Sequence, residues 1–149
     1  MPPDVVRRLI LVHGIVAWLD ALLLLVVAFL LLRERWHDKP RVRQVSIAAT
    51  LGAIASFASG LALEMHYRLH MRQRLFLSSK TLGWLFERKL HLSFGVLLFA
   101  LIGLLTLRLV REHPRALQSS RAAFVFATGF ALTICVISSV VRIYEPFMK

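Results

Sequence analysis

Four blocks of apolar residues, separated by shorter charged segments, dominate the pattern along the chain. They cover roughly residues 9–32, 45–66, 90–110 and 122–141. Each block is long enough to cross a bilayer, which takes about 20 residues in a helix. Because lipid offers the backbone no hydrogen-bond partner, each block must be helical. The pattern therefore predicts an all-α integral membrane four-helix bundle, formed by one domain over residues 1–149.

The connections predict which helix ends share a side of the membrane. The first and third connections, RERWHDKPRVRQ and REHPRALQSSR, are short and charged, so successive spans should be antiparallel neighbours. Four spans place both termini on one face, here called side A, together with the connection 70–89; the opposite face is side B. The 19 lysines and arginines divide almost evenly between the two sides. The positive-inside rule therefore predicts no orientation.

The side A connection, residues 70–89, alternates basic and large apolar residues. This alternation predicts a segment that lies in the membrane interface with its apolar side toward lipid. Ser79 is a candidate N-cap for a helix that begins near Lys80 and continues into the third span. An aromatic belt is expected at the same level, formed by Tyr67, Trp84 and Tyr144.

Composition agrees with a membrane protein and changes the meaning of the charge. The chain is 58% hydrophobic with a mean hydropathy of +0.68, whereas soluble domains contain about 45–50% apolar residues. A net charge of +11 in a soluble protein would suggest nucleic-acid binding. Here the basic residues crowd the ends of the apolar blocks, where lipid headgroups lie. The lipid bilayer is therefore the expected partner, and nucleic acid is not.

Histidines inside or beside the spans are the first candidate site. Four of the six histidines gather at side A, and His13 and His91 lie at similar depth in spans one and three. Two imidazoles on different helices are a common way to hold the iron of a b-type haem. Gly95, one turn beyond His91, leaves room for a flat ligand or a close helix. Arg142, expected on the inner face at side A, is a candidate partner for the haem propionates.

The other two side A histidines support an alternative. His66 and His70 are four residues apart, which places them on one face of a helix. They are alternate ligands for a non-haem metal, together with His13, His91 or Glu64. A histidine near a helix end also simply reaches headgroup water, which is the ordinary interpretation of His66 and His70.

Carboxylates within the spans suggest proton handling as a further alternative. Asp20 shares a helix face with His13 and lies near the bilayer centre, where an ionisable residue is costly and usually faces the bundle interior. In span two, Gly52, Ser56 and Gly60 recur every four residues, as in helices that pack closely in membranes. Glu64 ends this ridge and is predicted to point inward. Asp20, His13 and Glu64 would then form a half-channel open to side A.

Three short motifs carry a resemblance to known proteins. They are LVHGIVAWLDALLL with His13 and Asp20, SFASGLALE with Gly60 and Leu61, and RKLHLSFGVLLFAL with His91. The chain thereby resembles a broad set of uncharacterised bacterial four-helix membrane proteins over spans one to three. It departs from them at Gly14, where a proline usually follows the first histidine. The resemblance implies a haem- or redox-associated module of the bacterial cytoplasmic membrane, and it favours His13 and His91 as ligands.

These observations lead to one functional prediction and its alternatives. The prediction is a small b-type cytochrome or redox-linked membrane subunit, with one haem b near side A held by His13 and His91. A quinone or a partner redox protein would then exchange electrons with it. The alternatives are a non-catalytic packing or assembly subunit of a larger membrane complex, and a non-haem metal-binding membrane protein.

Overall fold

The structure, a computed structural model, describes residues 3–33, 40–109 and 115–144. It contains five helices in these ranges: α1 (Pro3–Leu32), α2 (Pro40–His70), α3 (Arg72–Ser78), α4 (Lys80–Leu109) and α5 (Arg115–Tyr144). No strand occurs in the described ranges. Four of the helices, α1, α2, α4 and α5, are long and apolar enough to cross a membrane. The predicted all-α, multi-pass membrane bundle is confirmed.

The four long helices stand at the corners of a square. Helix α1 packs against α2 and α5, and α4 packs against the same two neighbours. Helices α1 and α4 are therefore at opposite corners, with the bundle interior between them. At side B, the α1–α5 contact is closed by Arg121, whose Nε donates to the carbonyl oxygen of Leu31 at 2.7 Å.

Side A is closed by the short helix α3, which lies within the connection 70–89 that was predicted to lie in the membrane interface. Helix α4 begins at Lys80, and Ser79 caps it by accepting a hydrogen bond from the Leu82 N–H at 3.4 Å. Leu75 of α3 is 1% exposed and packs against Tyr67 and Val141. Tyr67 is therefore buried, and its predicted place in an aromatic belt is wrong. Trp84 is 57% exposed, and the side chain of Tyr144 lies outside the described part.

Glycines set the close approach of the helices. On α4, Gly83, Gly95 and Gly103 face the rings of Phe76, Phe130 and Phe124, each 2.8 Å from where a Cβ would stand. On α2, a Cβ at Gly52 would lie 2.7 Å from Asp20 Oδ1, and one at Gly60 would lie 3.3 Å from His13 Cε1. The ridge of small residues on α2 therefore faces α1, and it contacts His13 and Asp20, the two ionisable side chains within the apolar run of that helix.

Candidate functional site

His13 is held by α2 and not by a second histidine. It is half-buried on α1, and its Nδ1 lies 2.8 Å from Ser59 Oγ. The Ser59 hydroxyl donates to the carbonyl oxygen of Ser56 at 3.0 Å, so Ser59 Oγ accepts from the His13 Nδ1–H. This assignment of the tautomer leaves the lone pair of the neutral ring on Nε2.

Asp20 is the most deeply buried ionisable residue of α1. It is 3% exposed, and its carboxyl group fills the notch at Gly52. Asp20 Oδ1 has no hydrogen-bond partner among the described residues. A buried polar atom of this kind needs a partner, which in membrane bundles and soluble proteins alike is commonly an ordered water.

Lys89 enters the interior from the opposite corner of the bundle. It lies on the same stripe of α4 as the buried Val96 and Gly103, at intervals of seven residues. Its ammonium group lies over the Phe86 ring at 5.0 Å and within electrostatic range of the His13 ring and the Cys135 thiol. The division of basic residues between the two sides places Lys89 at side A and does not predict an interior position. Its heptad spacing from Gly103 was the signal that could have revealed it.

Cys135 and Tyr67 extend the set of buried polar groups. Cys135 on α5 is buried, with its Sγ 3.9 Å from the carbonyl oxygen of Ala17. Tyr67 stacks on Phe86 with ring centroids 4.2 Å apart, and its hydroxyl also has no partner among the described residues. We call Tyr67, Lys89, His13, Cys135 and Asp20 the interior polar cluster.

His91 lies on the outer surface of the bundle. Its side chain is exposed, and its Nδ1 donates to the carbonyl oxygen of Glu87 at 3.4 Å. Because a helix turns about 200° over two residues, the inward direction of Lys89 places His91 outward. The ring lines a shallow apolar cavity of about 240 Å³ that we call the outer groove, formed by Phe57, Leu61, Leu90, His91 and Phe94.

The predicted haem residues are consequently not brought together. His13 faces α2 from one corner of the bundle, whereas His91 faces outward from the opposite corner. The space at Gly95 is filled by the Phe130 ring, and Arg142 is exposed. In this arrangement these residues do not fit a single haem bound between His13 and His91.

The remaining candidates belong to the side A rim. Glu64 accepts a hydrogen bond from Arg68 Nε at 2.7 Å, and its half-buried side chain lies within electrostatic range of the Tyr67 hydroxyl. The rings of His66 and His70 are stacked, with centroids 4.5 Å apart. Within the described ranges, no three or more His, Cys, Asp or Glu residues are grouped as metal ligands.

Comparison with known proteins finds no matching family model, no similar curated sequence and no similar solved structure. Function is therefore inferred from the interior polar cluster and from the lipid-facing surface of α2 and α4.

Proposed function

We propose that the protein is a proton-handling membrane subunit, in which the interior polar cluster connects Asp20 with side A. The observation that carries this proposal is a pair of buried polar atoms, Asp20 Oδ1 and Tyr67 OH, that have no partner among the described residues. An unsatisfied buried polar atom costs about 1–3 kcal/mol. A hydrogen-bond partner at each atom would remove this cost, and the other members of the interior polar cluster lie between the two atoms.

The order of the groups along the membrane supports a path from side A. Tyr67 lies beneath α3 at the side A end, and Lys89 and His13 follow it toward the bilayer centre. Cys135 comes next, at the level of Ala17, and Asp20 lies midway along α1. Each of these groups can hold or release a proton, so the cluster offers a series of exchange sites.

No equivalent series leads from Asp20 toward side B in the described ranges. The other buried polar residues there are hydroxyl-bearing, and each donates to a backbone carbonyl oxygen: Ser46, Thr50, Ser120 and Thr128. Hydroxyls satisfied in this way add no ionisable group and need no water. A site reached from one side stores or delivers a proton without carrying it across, so the proposal places the protein within a larger membrane complex.

The test is the reactivity of Asp20 in vesicles. Dicyclohexylcarbodiimide enters the bilayer and modifies protonated carboxyl groups, and mass spectrometry of peptides identifies the modified residue. We expect Asp20 to be modified, and the rate to rise when the pH is lowered on side A while the pH on side B is held constant. Lys89→Met should slow the response to side A pH because it removes one exchange site.

Two variants serve as controls for this experiment. Asp20→Asn should abolish the modification, and Arg88→Met, which alters an exposed neighbour of Lys89, should leave it unchanged. A rate that follows only the pH of side B, or an Asp20 that stays unreactive at every pH, would contradict the proposal. The packing-subunit alternative would then lead.

A haem b that exchanges electrons with a quinone or a partner redox protein is the second candidate. It is supported by the state of the two imidazoles, because both His13 and His91 engage Nδ1 and keep the Nε2 lone pair that binds a metal. In such a site, an iron bound by His91 would take its second axial ligand from a residue other than His13, or α4 would rotate to turn His91 inward. A reduced-minus-oxidised visible spectrum of protein expressed with added haem tests it.

A further inference from the structure

A cavity with two arginines in its wall lies at the side A end of α2. It has a volume of about 400 Å³ and is lined by Arg68, Arg72, Gln73 and Phe76; we call it the arginine cup. The segment 64–89 carries two acidic residues, Glu64 and Glu87, against six basic ones: Arg68, Arg72, Arg74, Lys80, Arg88 and Lys89. The field at the cup is therefore positive, which favours an anionic ligand.

Each of the two arginines is oriented by a carboxylate that accepts a hydrogen bond from its Nε alone. Arg68 Nε donates to Glu64 Oε1, and Arg72 Nε donates to Glu87 Oε1, each at 2.7 Å. Arg72 also lies over the Phe76 ring at 5.9 Å. The terminal nitrogens of the two guanidinium groups have no acceptor among the described residues. Guanidinium groups fixed in this way are suited to bind phosphate oxygens.

The outer groove lies directly below the arginine cup. Leu61 of the groove and Arg68 of the cup are seven residues apart, which puts them on one face of α2 about 10 Å apart along the axis. On α4, Glu87 holds Arg72 and also accepts the hydrogen bond from His91, four residues along. A cationic head site and an apolar groove thus form one continuous lipid-facing surface between α2 and α4.

We propose that this surface is a binding site for one anionic phospholipid, independent of the proton-handling function. The phosphate is bound in the arginine cup by Arg68 and Arg72, and an acyl chain lies along Phe57, Leu61 and Phe94. The position of the cup at the membrane interface commits the site to a lipid rather than to a soluble phosphate, because the apolar groove below it faces the bilayer.

The test is lipid retention by the full chain, measured by native mass spectrometry in detergent. The protein is incubated with an equimolar mixture of phosphatidylglycerol and phosphatidylcholine. We expect one retained phosphatidylglycerol per chain. The double variant Arg68→Gln and Arg72→Gln should lower this retention on the order of tenfold. The matched control is Arg41→Gln with Arg43→Gln, two exposed arginines of α2 at side B, which should change nothing.

Two further measurements identify the ligand. Phe94→Ala should weaken retention, whereas Phe29→Ala on the lipid-facing surface of α1 should not, and added inorganic phosphate should not displace the lipid. Equal retention of both lipids, equal loss in the side B control, or displacement by inorganic phosphate would overturn the proposal. A haem absorption band that is lost in the Arg68 and Arg72 variant would also overturn it, since haem would then be the occupant.

Discussion

Lys89 and His91 are two residues apart on α4 and point in opposite directions: half-buried Lys89 lies in electrostatic range of His13 and Cys135, and His91 is exposed on the outer surface. Only one of these two side chains can point into the bundle, because side chains two residues apart lie about 200° around the helix axis from each other. With Lys89 inside, the interior near His13 receives an amine and not a second imidazole. The groups that surround His13 in the interior are therefore ones that exchange protons.

Replacing Lys89 with an apolar residue should not destabilise the bundle. A lysine inside a membrane bundle is costly, and no carboxylate in the described ranges lies within ion-pair distance of it. We expect Lys89→Met to keep or raise the free energy of unfolding, with a gain on the order of 1 kcal/mol. Thermal unfolding in detergent measures it, with Arg88→Met as the exposed control. A lower free energy of unfolding in Lys89→Met than in the wild type would mean that the ammonium group has a stabilising partner.

The notch at Gly52 should tolerate no side chain while Asp20 is present. A Cβ there would lie 2.7 Å from Asp20 Oδ1, so Gly52→Ala should destabilise the bundle by about 1–3 kcal/mol. Combining it with Asp20→Ala should recover part of the loss, since the two positions share one space. Gly14→Ala is the control, because nothing lies within 4 Å of its Cβ position. Additive effects of Gly52→Ala and Asp20→Ala would show that they do not meet.

Gly60 provides an independent test of the α1–α2 contact. Gly60→Leu should force the His13 ring away from α2 and break its hydrogen bond with Ser59. We expect a lower unfolding temperature, with Gly129→Leu as the control on the exposed face of α5. If the Gly60→Leu protein unfolds at the wild-type temperature, the ridge on α2 faces lipid instead.

The topology can be tested by labelling introduced cysteines from each side of the membrane. In a Cys135→Ala background, Asp4→Cys and Ser78→Cys should react from the same side, because α1 begins and α3 ends at side A. Gln118→Cys, near the start of α5, should react from the other side. Labelling of positions 4 and 78 from opposite sides would contradict the four-span arrangement.

The haem candidate makes a distinct spectroscopic prediction. A haem held by both histidines would show a low-spin band that disappears in His13→Ala and in His91→Ala but not in His66→Ala or His70→Ala. Loss in the His91 variant alone would place a haem in the outer groove. If haem-supplied protein shows no band at all, the cytochrome interpretation ends.

The sequence was sufficient for the fold because the bilayer constrains it strongly. Apolar runs of spanning length can only be helices in a bilayer. Ser79 was correctly predicted as the N-cap of α4. The α2 ridge was also readable, since Gly52 and Gly60 repeat at helical spacing and do face a neighbouring helix.

The site was harder to predict because depth does not determine direction. His13 and His91 are at similar depth, yet which corners their helices occupy depends on how four helices pack, and that information is not local. Glu64 forms an ion pair with Arg68 on its own helix, a partner that the spacing from Gly60 does not predict. A basic residue near a helix end usually reaches water, so the position of Lys89 in the sequence does not predict an inward direction.

The glycine notches on α4 and on α2 receive side chains of different kinds. The notches on α4 hold phenylalanine rings, whereas those on α2 hold His13, which bonds to Ser59, and Asp20, whose Oδ1 has no partner among the described residues. The α1–α2 contact therefore contains polar groups that can bond to water, whereas Phe124 and Phe130 of α5 fill the notches at Gly103 and Gly95 of α4. In hydrogen-exchange measurements, we expect the backbone amides of α1 to lose their protection before those of α4 and α5.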